Sequence, residues 1–257
     1  MDAFLRPYTE DTGKKIHMPE KYTTPYPAKR IYPDSRAEDT EVLLARECPV
    51  KLFLNGKHFT TLLASPAHFK ELAAGHMISE GALSFEEIAG ITVEGNRVEI
   101  KTINPEVRQP KSRKETVVSS EAVFGIKAIF AGMEYLTSET YKVTRGTHLA
   151  ALVDRKGKLI FQAVDVGRHN AVDKAIGYAL LNRLPLTEMY LLSTGRQPAY
   201  MLMKAVRAGI PLVVTKAMPF DSGVEAAKKA NMGLVGQLRK ESMLVFANEW
   251  RVKDYKS

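Results

Sequence analysis

A chain of 257 residues with 45% apolar side chains can build one large domain or two small ones around a real core. Its one cysteine, Cys48, excludes an internal disulfide and a cysteine-built zinc site, and no run is apolar and long enough to span a bilayer. The formal charge is +8, yet the first forty residues hold seven Lys/Arg against seven Asp/Glu, so the excess lies beyond them and favours an anionic partner: a nucleotide, a phosphorylated cofactor, nucleic acid or an acidic protein.

The stretch from Met1 to Lys15 lacks the apolar centre of a signal peptide, so a cytoplasmic protein is expected. Residues 1–40 carry Pro7, Pro19, Pro25, Pro27 and Pro33 without sustained periodicity. They read as an extended arm that would pack on a partner or a second subunit.

Residues 41–104 read as a small α+β domain. Apolar runs at 42–54 and 58–63 flank Asn55-Gly56, a strong hairpin signal. Ser65-Pro66 predicts a helix start, with Ser as cap and Pro at the first helical position. Phe69, Leu72, Ala73, His76 and Met77 form its apolar stripe, and Gly81 closes it. A second hairpin, 91–94 and 97–103, turns at Gly95-Asn96. Cys48 falls in the first strand, where a half-buried thiol is the plain reading. His58, His68 and His76 lack ligand spacing; His76 reads as a packed core histidine, and no metal site is expected.

Residues 105–141 form a connection. Arg108, Lys111, Arg113 and Lys114 make its first part basic: a solvated linker, or a mobile loop ahead of an anion site. Apolar character resumes over 117–130, interrupted by Glu121-Ala122-Val123-Phe124-Gly125.

Residues 142–257 read as an α/β domain. An apolar run at 159–164 enters the turn Asp165-Val166-Gly167-Arg168-His169-Asn170, and Ala171, Val172, Ala175, Ile176, Ala179 and Leu180 follow at helical spacing. A second strand, 189–193, ends in Thr194-Gly195-Arg196-Gln197, with Pro198 opening a helix. A third, 212–215, ends in Lys216 and runs through Pro219 to Asp221 and another helix; strands at 234–238 and 243–247 close the chain. Three strand-to-helix units imply parallel strands with right-handed crossovers. The turns at Gly167, Gly195 and Pro219 then share one edge, the ligand-binding edge of such sheets. Arg168, Arg196 and Lys216 would converge there with Asp165, His169 and Asp221, beside a helix N-terminus suited to phosphate. Asp165 and Asn170 as simple helix caps are the plainer alternative, but caps do not call for Arg and His as well. Walker, GxGxxG, nucleophile-elbow and zinc-deaminase signatures are absent. Ser193, His169 and Asp165 could make a triad, or Asp165 and His169 an acid–base pair of a nucleotide hydrolase, though no spacing supports either. Basic residues scattered among turns disfavour nucleic acid.

The run Ala163-Val164-Asp165-Val166-Gly167-Arg168-His169-Asn170-Ala171-Val172-Asp173-Lys174 resembles the signature of the FdhD/NarQ family of formate dehydrogenase accessory sulfurtransferases. Leu54-Asn55-Gly56, Ser65-Pro66, Glu71-Leu72-Ala73-Ala74-Gly75 and Ser79-Glu80-Gly81 are similar to that family's first domain. Thr147-His148, Ser193-Thr194-Gly195-Arg196, Lys204, Ala208-Gly209-Ile210-Pro211, Leu234-Val235-Gly236 and Arg239 are similar to its second. The resemblance implies a cytidine-deaminase-like α/β domain behind a smaller N-terminal α+β domain, in a homodimer. It implies a part in maturing formate dehydrogenase: sulfur from a cysteine desulfurase is carried as a persulfide to the molybdenum bis(molybdopterin guanine dinucleotide) cofactor. The cofactor's diphosphates and guanines agree with the convergent edge, where Asp165, Gly167, Arg168, His169, Asn170, Gly195, Arg196 and Lys216 are the candidate binding residues. A further implied binding stretch is Gln237-Leu238-Arg239-Lys240-Glu241-Ser242, with guanine nucleotide as a mimic of the bound client.

Two departures stand out. The family's Cys-Gly-x-Cys-Gly loop falls here on residues 121–125, placing Glu121 and Phe124 at the cysteine positions, and Val164 stands where the family has Glu. No catalytic residue is therefore assigned. Either sulfur passes through Cys48 or a partner's thiol, or the protein is a non-catalytic holder of the cofactor.

Overall fold

The computed structural model describes residues 21–105 and 117–256. The basic stretch with Arg108, Lys111, Arg113 and Lys114, and the first twenty residues, lie outside the described residues.

The described part of the expected arm is regular. Strands β1 (Thr23–Ile31) and β2 (Ala37–Ala45) pair antiparallel from Thr23↔Ala45 to Ile31↔Ala37. Ser35, at φ 66°, helps turn the chain, and Lys29–Asp39 and Arg30–Glu38 ion pairs cross the ribbon. Pro25 and Pro27 hid this strand from the sequence reading. In a two-stranded ribbon alternate N–H groups point outward, so two prolines at i and i+2 cost no ladder bond. Val42 accordingly belongs to β2, not to the next hairpin.

That hairpin comprises β3 (Cys48–Leu54) and β4 (Lys57–Ala64), turning at Asn55 (φ 49°) and Gly56 (φ 80°), both left-handed as an Asn-Gly turn requires. Helix α1 (Phe69–Ser79), β5 (Ile88–Glu94) and β6 (Arg97–Thr102) follow, and the sheet order is β4-β3-β6-β5. Val50, Leu52, Val98 and Ile100 bury one face of this sheet against Leu72, Ala73 and Met77 of α1. Ser65-Pro66 does not start α1, which begins after His68 in a left-handed conformation (φ 57°). Ser65 is instead buried, and its polar atoms are engaged elsewhere.

The remaining elements are β7 (Phe124–Gly125), α2 (Ile126–Ala131), α3 (Glu139–Thr144), β8 (His148–Asp154), β9 (Leu159–Asp165), α4 (Arg168–Leu181), β10 (Met189–Ser193), α5 (Ala199–Arg207), β11 (Leu212–Thr215), α6 (Asp221–Lys229), β12 (Gly233–Gly236), β13 (Leu244–Ala247) and β14 (Val252–Lys253). A six-stranded sheet runs β13-β12-β11-β10-β8-β9. Strands β10, β11 and β12 are parallel, and β8 is antiparallel to both of its neighbours, so β9 points the same way as β10. The ends of β9, β10 and β11 therefore meet at one edge, as the three turns require.

Both faces of this sheet are covered, which is why its strands read as unbroken apolar runs. Ala150, Leu152, Leu191 and Val213 pack on α4 and α5, while Leu149, Ala151, Leu192 and Val214 pack with Phe124, Ile129 and Leu136. Helix α1 crosses α4 at contact distance through Gly75 and Gly177, joining the small sheet to the large one.

Candidate functional site

Asp165 ends β9 at the expected edge, but its carboxylate faces inward and is fully buried. Oδ1 accepts from the Gly167 N–H (2.8 Å) and Asn170 Nδ2 (3.0 Å). Oδ2 accepts from the Ser65 N–H (3.1 Å) and from Lys174 Nζ, which also donates to the Ser65 carbonyl (3.0 Å). Asn170 donates further to the Leu63 carbonyl at 2.7 Å. Burial pulls the Lys174 ammonium below its usual range, and Asp165 opposes the shift. Asp165 and Asn170, expected to touch cofactor, are thus corrected to structural parts. They tie β9 and α4 to the chain after β4, and every Asp165 acceptor position is already filled.

One turn further along α4, Asp173 builds a second buried cluster. It accepts from Ser79 Oγ (2.6 Å) and Lys204 Nζ (2.9 and 3.0 Å), and pairs with His76 Nδ1 (3.0 Å). Lys204 also donates to Ser79 Oγ and Glu80 Oε1. Burial pushes the Asp173 carboxyl up, but the His76 hydrogen bond and Lys204 outweigh it and hold the group below its usual range. His76 is half-buried as expected, but it works as a polar partner rather than as apolar filling. The signature thus supplies Asp165, Asn170, Asp173 and Lys174 to the interior and leaves Gly167, Arg168 and His169 at the edge.

There, Arg168 Nη2 donates to the Tyr200 hydroxyl (3.0 Å), and the His169 ring stacks on Tyr200 with centroids 5.1 Å apart and planes 8° apart. Gly195 packs on this arginine: a Cβ there would come within 3.0 Å of Arg168 Cβ. The Arg168 Nε–H is buried without a hydrogen-bond partner. Burial, then the Arg168 charge, lowers both His169 and His148, so both imidazoles are neutral at pH 7. Exposed Arg196 lies over the Phe220 ring at 5.3 Å. Arg239 donates to the Lys216 carbonyl (2.8 Å), which ties its guanidinium to the end of β11, while the Lys216 ammonium reaches the Leu136 carbonyl (3.5 Å). Gln237 (φ 49°) starts the turn after β12, and Lys240, Glu241 and Ser242 are exposed. Leu238, expected to touch cofactor, is fully buried in the core, and that expectation is corrected. Asp221 opens α6, and its Oδ1 accepts from the Ser222 N–H. Tyr200 escaped the sequence reading, and His148 was read only within the family resemblance, not as a residue of this edge; β8 enters the sheet opposite Asp165, a pairing no local pattern predicts.

Of the residues at the two cysteine positions, Glu121 is exposed and Phe124 is held firmly. Phe124 is fully buried, pairs with Val252 of β14 and meets the Tyr190 ring edge-on. The Ala122 N–H donates to Ser120 Oγ, and its carbonyl accepts from buried Arg251. Cys48 donates its thiol to the Ala64 carbonyl at 3.5 Å, and burial raises its pKa, an effect Lys174 only partly opposes. Such a thiol is a weak nucleophile. The Ser193–His169–Asp165 triad does not form: Ser193 is buried with Oγ accepting from the Gly195 N–H, and Asp165 is saturated. The same saturation removes the Asp165–His169 acid–base pair. Among the described residues no group of His, Cys, Asp and Glu could hold a metal ion, and no helix is long and apolar enough to cross a membrane.

Fold and edge together define an α/β protein that presents clustered cations and carries no thiol at the edge itself. The family model described as FdhD/NarQ matches residues 45–134 and 106–253, and the chain belongs to that family of formate dehydrogenase accessory proteins and sulfur carriers. It is 30% identical over 250 residues to Sulfur carrier protein FdhD of Bacillus subtilis (87% of this chain, 95% of that protein) and 34% identical over 253 residues to its Streptomyces coelicolor counterpart (82% and 89%). It is 32% identical over 211 residues to Protein FdhD of Methanocaldococcus jannaschii (82% and 90%). The crystal structure of a candidate formate dehydrogenase accessory protein from Desulfotalea psychrophila superposes with a TM-score of 0.80 at 25% identity, covering 90% of this chain and all of that one.

Proposed function

We propose that this protein serves formate dehydrogenase maturation at the step where sulfur from a cysteine desulfurase reaches the molybdenum cofactor, and that it contributes the binding surface for that cofactor rather than the persulfide-carrying thiol. The carrying observation is the set of cations, Arg168, Arg196, Lys216 and Arg239, at one sheet edge. Guanidinium groups pair with phosphate oxygens in a matched fork, and the bis(molybdopterin guanine dinucleotide) cofactor carries two diphosphates. Pinning of Phe124 in the core, and the raised pKa of Cys48, support the non-covalent reading. The sulfane then rides on a partner's thiol, which attacks the desulfurase persulfide, forms a new S–S bond and releases the desulfurase thiolate.

The same reading includes a small α+β unit over 41–104, a connection over 105–141 and a cytidine-deaminase-like unit over 142–257. It includes a cytoplasmic homodimer, since persulfide exchange needs a reducing compartment. Exposed Tyr26, Ile31 and Leu44 on the β1–β2 ribbon support a second subunit. Formate dehydrogenase and the desulfurase are the partners it calls for.

Calorimetric titration with GDP, a mimic of one end of the cofactor, tests the surface. Binding by the wild type that is lost in Arg168→Ala/Arg196→Ala supports it; a folded wild type that binds neither GDP nor inorganic pyrophosphate overturns it. Sulfur transfer through Cys48 is the second reading, favoured only by the Lys174 charge near its thiol. Intact mass after incubation with desulfurase and cysteine decides between them. Gain of a sulfur by the wild type but not by Cys48→Ala would restore the sulfurtransferase reading.

A further inference from the structure

The edge carries two large exposed aromatics that the family resemblance does not include, Tyr200 and Phe220, and Phe220 already lies under the Arg196 guanidinium. Tyr200 stands in the first turn of α5 and is 53% exposed. The parallel His169 imidazole covers one face of its ring, and the Arg168 guanidinium holds its hydroxyl. Its exposure lies on what those two contacts leave open. Most exposed aromatics rotate freely; this one is braced on one side and at its tip, so little rotamer freedom remains to be lost on binding. A neutral His169 can lie against the ring without adding a charge to the stack. Arg196, four residues earlier and exposed, supplies positive charge on the same loop-to-helix segment.

We propose that Tyr200 is the stacking platform for the heteroaromatic base of the bound ligand, with the neighbouring cations taking its phosphates. This rests on the cofactor-binding reading above and deepens it by assigning the base to a residue. Every base has a π-face, so stacking on an aromatic ring gives affinity with little sequence preference. Tyr200 would therefore set the preference for a nucleotide over a bare diphosphate, and the arginines the preference for phosphate over none.

The test compares GDP with inorganic pyrophosphate on the wild type, Tyr200→Ala and Tyr200→Phe, each checked by circular dichroism for an unchanged fold. Tyr200→Ala is expected to weaken GDP about ten-fold or more while leaving pyrophosphate within about two-fold; Tyr200→Phe, which keeps the ring, should bind GDP like the wild type. Unchanged GDP affinity in Tyr200→Ala overturns the proposal. So does an equal loss for GDP and pyrophosphate, which would mean that the residue acts only by holding Arg168. A Tyr200→Phe variant as weak as Tyr200→Ala would move the role to the hydroxyl and also overturn it. A wild type that binds pyrophosphate but not GDP sinks the base platform and leaves the cationic edge standing; one that binds neither removes both.

Discussion

Gly75 of α1 and Gly177 of α4 face one another so closely that a Cβ on either would lie 1.8 Å from a main-chain carbonyl oxygen of the other helix, that of Asp173 or Glu71 respectively. No side chain can move aside there, because the obstacle is backbone. Gly177→Ala must separate the helices and strain both buried clusters between them. Overpacking of this kind costs about 3 kcal/mol or more, at the top of the usual range. Urea denaturation checks it, and a loss below about 1 kcal/mol would show that the crossing is loose.

The same crossing carries the Asp173–Lys204 pair, with side chains 1% and 3% exposed. Removing one partner strands a buried charge, so Lys204→Met should cost about 3–5 kcal/mol. An Asp173→Leu/Lys204→Met double variant should cost less than the sum of the singles, since no lone charge remains. Additive losses in that cycle would mean that the two groups do not interact.

Stability should fall with acid in two windows. His148 and His169 have folded pKa values below the ordinary histidine value, so the unfolded chain protonates first. Their contribution is complete above about pH 6.5 and declines as pH falls toward the folded values. His148 responds to Arg168 and Asp165; His169 responds to Arg168, Lys204, Asp173 and Glu80. Asp173, also depressed, contributes fully above the ordinary carboxylate value and loses its share only as pH drops through its lower folded value. Urea midpoints measured from pH 8 to 3 should fall in both windows, and a His148→Gln/His169→Gln variant should shrink the upper one alone, the rest coming from His68, which burial also lowers.

Gly195→Ala tests whether the edge needs Arg168 in place. The added methyl would press on Arg168 Cβ and Cδ at 3.0 and 3.1 Å. GDP affinity should drop about five-fold or more with a melting temperature close to wild type, a split reflecting lost pairing to phosphate rather than lost packing. Equal GDP affinity in the variant would separate Arg168 from the ligand.

Restoring a family cysteine should fail to restore a thiol that can react. Phe124→Cys empties part of the core beside Tyr190, at a cost of about 2–4 kcal/mol. Its new thiol should stay silent to a disulfide reagent until the protein unfolds. Rapid labelling of that position in the native protein would show that residues 121–125 open readily.

Much of this was legible in the chain itself. Asn55-Gly56 announced a hairpin because Asn and Gly tolerate the left-handed backbone that a tight hairpin turn requires. The succession of strand, polar turn and helix carried the sheet edge and its cations, since parallel strands must end on the same side. Pairing across long separations decided the rest. Asp165 looked like a ligand-facing carboxylate until Ser65, one hundred residues earlier, and Lys174 enclosed it. Cys48 looked like a possible substitute thiol until burial raised its pKa. Local sequence dictates which groups stand at a turn, but whether a charge meets water or a buried partner depends on which distant segment covers it, and only the tertiary structure supplies that neighbour.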